Sequence, residues 1–109
     1  MTGAEGEGWQ RVAARTDVQS GALLAVKHGD LPIVLVEHEG GIYALGNICP
    51  HAYALMSEGF LDGEQLECPL HGAIFDVRTG KCLGGPTDED LPVYEVRVEG
   101  DDVFVKANE

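Results

Sequence analysis

Basic residues are scarce in this chain. Seven Lys and Arg stand against nineteen Asp and Glu, giving a formal charge of −12 over 109 residues. Nucleic acid and anionic membrane are poor partners for such a surface, and a basic patch on another protein is a good one. Long apolar runs are also missing. The longest purely aliphatic stretch is Ile33-Val34-Leu35-Val36, far short of a membrane span. The start, Met1 to Gly8, is acidic and glycine-rich. It lacks the basic and apolar segments of a signal peptide, and residues 1–8 are expected to be mobile. These absences predict a cytoplasmic protein. The length predicts one domain, 1–109, with room for a single core and none for a second catalytic domain. No window carries a sustained 3.6-residue apolar period, which argues against a helical bundle.

In place of helical periodicity the chain has short runs rich in Val, Ile, Leu and Tyr, separated by Gly, Asp and Pro. Strands are expected at 9–15, 22–27, 33–38, 42–46, 58–61, 65–67, 74–76, 94–98 and 103–106. Glu39-Gly40-Gly41, Asp62-Gly63 and Gly100-Asp101-Asp102 supply turns whose residues tolerate positive φ. The fold class is all-β, a small barrel or sandwich. Trp9 and Tyr94 read as packing residues rather than electron relays, and the isolated His28 and His38 read as surface residues.

Cysteine is limited to three residues, and two of them have informative neighbours. Cys49-Pro50-His51 is followed, after sixteen residues, by Cys68-Pro69-Leu70-His71. Zinc sites usually pair like with like, Cys with Cys and His with His. Here each pair splits a soft thiolate from an imidazole, which suits a metal unit with two unlike ends. A [2Fe–2S] cluster with thiolates on one iron and imidazoles on the other is such a unit. Four protein ligands on two irons leave no open position for substrate, so the chemistry is one-electron transfer rather than catalysis. Replacing two thiolates by neutral imidazoles raises the oxidised centre from a formal charge of about −2 to about 0, which eases reduction. Pro50 and Pro69 each fix φ and remove a backbone donor next to a sulfur. Cys82 would then stand apart as a strand residue, leaving no intramolecular disulfide. A Cys2His2 zinc module is the competing reading of the ligand set.

The pattern resembles a Rieske iron–sulfur domain over roughly Trp9 to Lys106. His51 to Gly59 resembles the family's first cluster loop, and Cys68 to Asp76 with Thr79-Gly80 resembles the second. Gly84-Gly85-Pro86, followed by Leu91-Pro92-Val93-Tyr94, resembles the third loop, which carries a proline over the cluster. The resemblance implies antiparallel sheets, a two-loop cluster-binding subdomain, and a Rieske-type [2Fe–2S] cluster on Cys49, His51, Cys68 and His71, with the histidine edge at the protein surface. Relatives in respiratory and photosynthetic complexes have two further cysteines, where this chain has Ala54 and Leu70. They also carry a serine and a tyrosine, where it has Ala73 and Phe75. Those departures resemble the low-potential ferredoxins of bacterial aromatic-ring-hydroxylating dioxygenase systems. Ala52 departs from the glycine that many of these ferredoxins have.

The implied role is a monomeric one-electron carrier. It would take electrons from an NAD(P)H-dependent flavin reductase and give them to a terminal Rieske non-haem iron oxygenase. Its own catalytic site is not expected, since His28 and His38 alone remain for a mononuclear iron. The small Rieske-like subunit of a reductase such as nitrite reductase is the alternative within the family. Tyr53, in the first loop, and Asp88-Glu89-Asp90, after the third loop's proline, are candidate contacts to a protein partner.

Overall fold

The structure is a computed structural model that describes residues 8–50, 54–70, 72–85 and 89–107. Two antiparallel sheets account for most of it. The larger has six strands: β1 (Trp9–Ala14), β2 (Leu23–His28), β3 (Leu31–His38), β4 (Gly41–Gly46), β9 (Val93–Glu99) and β10 (Asp102–Lys106). Their spatial order is β1-β10-β9-β4-β3-β2. Side-chain and backbone bonds draw the two edge strands together into a nearly closed barrel. Gly29 N–H donates to Gln10 Oε1 at 2.9 Å, and His28 Nε2 donates to the Gly8 carbonyl at 2.6 Å. His28 is therefore buried, 6% exposed, and not the surface residue its position beside a turn suggested. The expected mobility of residues 1–7 concerns positions outside the described residues. Gly8 itself is held, its carbonyl also accepting from Ala107 N–H at 3.1 Å.

The smaller sheet holds β5 (Phe60–Asp62), β6 (Gln65–Glu67), β7 (Ile74–Asp76) and β8 (Cys82–Gly84), in that order. Cys82 is a strand residue, as expected. The stretch assigned from the sequence as a strand from Glu58 begins later. Met56–Glu58 form a 3-10 turn that buries Met56, and the ladder starts at Phe60.

The whole small sheet is an insertion between β4 and β9, which are themselves paired through Ala44 with Tyr94 and Leu45 with Val93. Chain exit and return are thus adjacent. Gly46 N–H donates to the Pro92 carbonyl at 2.9 Å. A Cβ on Gly46 would stand 2.8 Å from Pro92 Cγ, so only glycine lets the two connections meet so closely.

Strand β3 couples the two layers. Ile33 and Leu35 enter the barrel core with Ala44, Val103 and Val105. Val34 and Val36 join the other core, with Leu45, Met56, Leu66, Phe75 and Val77. All four β3 side chains have zero exposure. Each contributes on the order of 1.5–3 kcal/mol by leaving water. The absence of alternation in Ile33-Val34-Leu35-Val36 follows from having both faces covered. At the β3–β4 turn, Glu39 and Gly40 have φ of 52° and 84°. Two consecutive positive φ values are what the tightest antiparallel hairpins require.

Candidate metal centre

Cys49 and Cys68 each head a segment closed by the same kind of backbone bond. Cys49 N–H donates to the Ala54 carbonyl at 3.0 Å, and Cys68 N–H donates to the Ala73 carbonyl at 2.8 Å. Each bond encloses four residues, the first being Pro50 or Pro69. The loops match in length even though the histidine falls one position later in the second. That second loop is tightened further, with Gly72 N–H donating to the Cys68 carbonyl at 3.3 Å. Gly72 has φ of 76°, a left-handed value that glycine adopts without a Cβ penalty.

Cys49 is 2% exposed and Cys68 is 1% exposed, and neither is in a disulfide. Both belong to one apolar cluster with Met56, Leu66, Ala73 and Phe75. Two buried soft donors, brought to one core by matched loops, fit one thiolate end of an iron–sulfur unit. His51 and His71 lie outside the described residues, as do Ala52, Tyr53, Pro86 and Asp88. Of the expected ligand set, the described residues thus include Cys49 and Cys68, both in one buried cluster. The sequence spacing carries the histidine half.

Sequence reasoning did not single out the braces of these loops. Asn47, only 3% exposed, has both ends of its side-chain amide engaged. Its Oδ1 accepts from Ser57 N–H at 2.7 Å, and its Nδ2 donates to Ser57 Oγ at 3.0 Å. Its backbone donates to the Pro32 carbonyl at 3.2 Å and accepts from Met56 N–H at 2.7 Å. Asn47 thus clamps the two feet of the first loop to each other and to β3. The only sequence signal was a polar residue closing an apolar strand two positions before Cys49.

The third loop is held by close approach. Gly85 has φ of 110°, and a Cβ there would lie 2.5 Å from Ala73 Cα. The third loop therefore rests directly on the residue that closes the second. Its far side is tied by Asp90, whose Oδ1 accepts from Cys82 N–H at 2.8 Å. Asp90 is exposed, yet it fastens the loop rather than only facing solvent. In the β7–β8 turn, partial burial works to raise the pKa of Asp76. Hydrogen bonds from the side chain and backbone of Arg78 outweigh it and hold the carboxyl below the usual carboxylate value. His38, half-buried, has Nε2 3.8 Å from Glu64 Oε1, which Arg78 also reaches at 3.0 Å. That network is structural, joining the end of β3 to the β5–β6 turn. Trp9 packs under the Arg97 guanidinium, 4.7 Å from its ring centre, on the barrel.

Fold and loops together define a β-domain that presents two buried thiols on matched loops. The family model of the Rieske [2Fe-2S] domain matches residues 8–95. The chain is 43% identical to the ferredoxin component of the naphthalene 1,2-dioxygenase/salicylate 5-hydroxylase systems of Ralstonia sp., over 92% of this chain and 96% of that one. It is 40% identical to the ferredoxin component of the naphthalene 1,2-dioxygenase system of Pseudomonas aeruginosa, over 91% and 95% of the two chains. A solved structure of the complex of reduced oxygenase and oxidised ferredoxin in carbazole 1,9a-dioxygenase contains a chain of the same fold. The TM-score is 0.84 at 36% identity, covering 94% of this chain and 99% of that one. The chain belongs to the Rieske [2Fe-2S] domain family, and its cofactor is the Rieske-type [2Fe–2S] cluster. Among the described residues no helix is long and apolar enough to cross a membrane.

Proposed function

We propose that this chain is the ferredoxin component of an aromatic-ring-hydroxylating dioxygenase system. It is a one-electron carrier, with Cys49, His51, Cys68 and His71 as the cluster ligands. The observation that carries the reading is the pair of matched, backbone-closed loops that bury Cys49 and Cys68 in one apolar core. When bound, the cluster supplies a reversible one-electron store. The protein's own residues do the rest. Cys49 and Cys68 are kept from water by burial, and the loop prolines limit donors near the sulfurs. Gly72 and Gly85 allow backbone to lie close to the ligand loops.

An NAD(P)H-dependent flavin reductase is the electron source in this reading, and a terminal Rieske non-haem iron oxygenase is the acceptor. Support for the acceptor comes from the likeness to the ferredoxin in the carbazole dioxygenase complex. Support for the system comes from the naphthalene dioxygenase relatives. We place the protein in the cytoplasm as a single-domain monomer.

The test begins with EPR of the reduced protein and of His71→Ala. The wild type is expected to give a Rieske signal and the variant to lose it, since one iron then lacks a ligand. An unaltered signal in His71→Ala would refute the ligand assignment. Addition of reductase, oxygenase, NADH and an aromatic substrate of that oxygenase should then give ferredoxin-dependent product, and its absence would refute the role.

A further inference from the structure

Phe60 is 62% exposed, the highest value among the described large apolar side chains. It begins β5, an edge of the small sheet. Residues directly opposite in antiparallel strands share a face. Phe60 stands opposite Glu67, Asp62 opposite Gln65, and Ile74 on β7 opposite Glu67. The outer face of the sheet therefore sets an exposed ring and Ile74 among Asp62, Glu67 and Asp76, the last paired with Arg78 from the β7–β8 turn, with Glu58 exposed just before the ring. No Lys or Arg occurs in any of the four strands. The face adjoins the candidate centre. Glu67 immediately precedes Cys68, and a Cβ on Gly59 would collide with the Glu67 carbonyl, so the backbone leading into Phe60 lies against the foot of the second ligand loop.

We propose that Phe60 anchors the docking surface for the terminal oxygenase, which presents an Arg- or Lys-bearing patch to this face. The inference rests on the function proposed above. A cation over the ring face is attracted by the ring quadrupole, and the flanking carboxylates add ion pairs. The charge of the face disfavours its other occupants. A second copy would set carboxylates against carboxylates, and anionic lipid or nucleic acid would be repelled. Exposed aromatics at the centre of such patches carry a disproportionate share of binding.

The test uses the cluster-loaded protein, reduced chemically and mixed in stopped flow with the oxidised oxygenase from the same host. Phe60→Ala should leave the EPR spectrum unchanged and, at an ionic strength where the complex dissociates faster than the electron transfers, lower the second-order transfer rate about tenfold. Phe60→Trp should restore it, and Val98→Ala, an exposed apolar site on the barrel strand β9, should not affect it. A Phe60→Ala rate equal to wild type overturns the proposal. So does slowing confined to reduction by the flavin reductase, or a wild-type dimer that the variant dissociates. Wild-type protein that transfers no electron to the oxygenase would overturn the functional reading itself, and the docking surface with it.

Discussion

At the residue scale, the low potential expected of this chain traces to two positions that carry no hydroxyl. Ala73 and Phe75 are fully buried in the cluster of side chains that includes Cys49 and Cys68. The chain departs there from the high-potential relatives that it otherwise resembles, which carry serine and tyrosine in their place. Reduction adds negative charge to the centre and its sulfurs, so a hydroxyl donor stabilises the reduced form more than the oxidised one. Without those donors, the potential should fall near the end of the Rieske range at about −150 mV. A hydrogen bond to a charged group contributes about 1.5–3 kcal/mol, of which only part differs between redox states. For one electron, about 1.4 kcal/mol corresponds to about 59 mV. Ala73→Ser combined with Phe75→Tyr should therefore raise the potential by something on the order of 100 mV. Voltammetry measures the shift, and a structure of the variant shows whether the hydroxyls reach sulfur. Hydroxyls bonded to sulfur with no rise in potential would refute this account.

At the scale of the element, the first ligand loop is as strong as its clamp. Asn47→Ala removes both side-chain bonds to Ser57 and leaves a part-buried N–H without its acceptor. The expected cost is about 1–3 kcal/mol, with faster bleaching of the centre in the presence of a chelator. Ser57→Ala keeps the 2.7 Å bond from its own N–H to Asn47 and should cost less. Thermal melts and the chelator rate together check the order, and equal effects would mean that the hydroxyl bond dominates.

Nothing in the sequence pattern pointed to this clamp, because it depends on residues ten apart meeting across a loop. The strands were more legible. Gln65–Glu67 and Ile74–Asp76 coincide with their expected bounds, and the other expected strands differ by a residue or two at their ends. Their period-2 patterns and Gly-Asp turns are local signals. The start of β5 was not legible, because Met56-Ser57-Glu58 is apolar–polar in a way that serves a 3-10 turn as well as a strand. His28 misled for a related reason. Its burial comes from Gly8, twenty residues away on the far edge of the barrel. A ligand set can be proposed from sequence because ligand chemistry restricts both residue type and spacing, whereas a brace such as Asn47 can be any residue that satisfies the local bonds.

At the scale of the whole molecule, the insertion carries half of the excess acid. Between Asn47 and Pro92, the insertion carrying both ligand loops, eight Asp and Glu stand against two Lys and Arg. Among the described residues four of those acids, Glu58, Asp62, Glu89 and Asp90, are exposed. Some are engaged, Glu64 and Asp76 with Arg78 and Asp90 with Cys82 N–H. Mutual repulsion within the insertion therefore persists, and an oppositely charged partner would relieve it. Such charges act beyond contact by steering encounter, and salt screens them over a Debye length of about 8 Å at physiological ionic strength. Transfer to the true partner, measured with association limiting, should slow by about tenfold or more between low and high salt. Phe60→Ala and salt should also separate kinetically. Loss of a contact anchor mainly speeds dissociation, while screening mainly slows association. A rate that stays constant with ionic strength under association-limited conditions would show that the acidic insertion serves solubility alone.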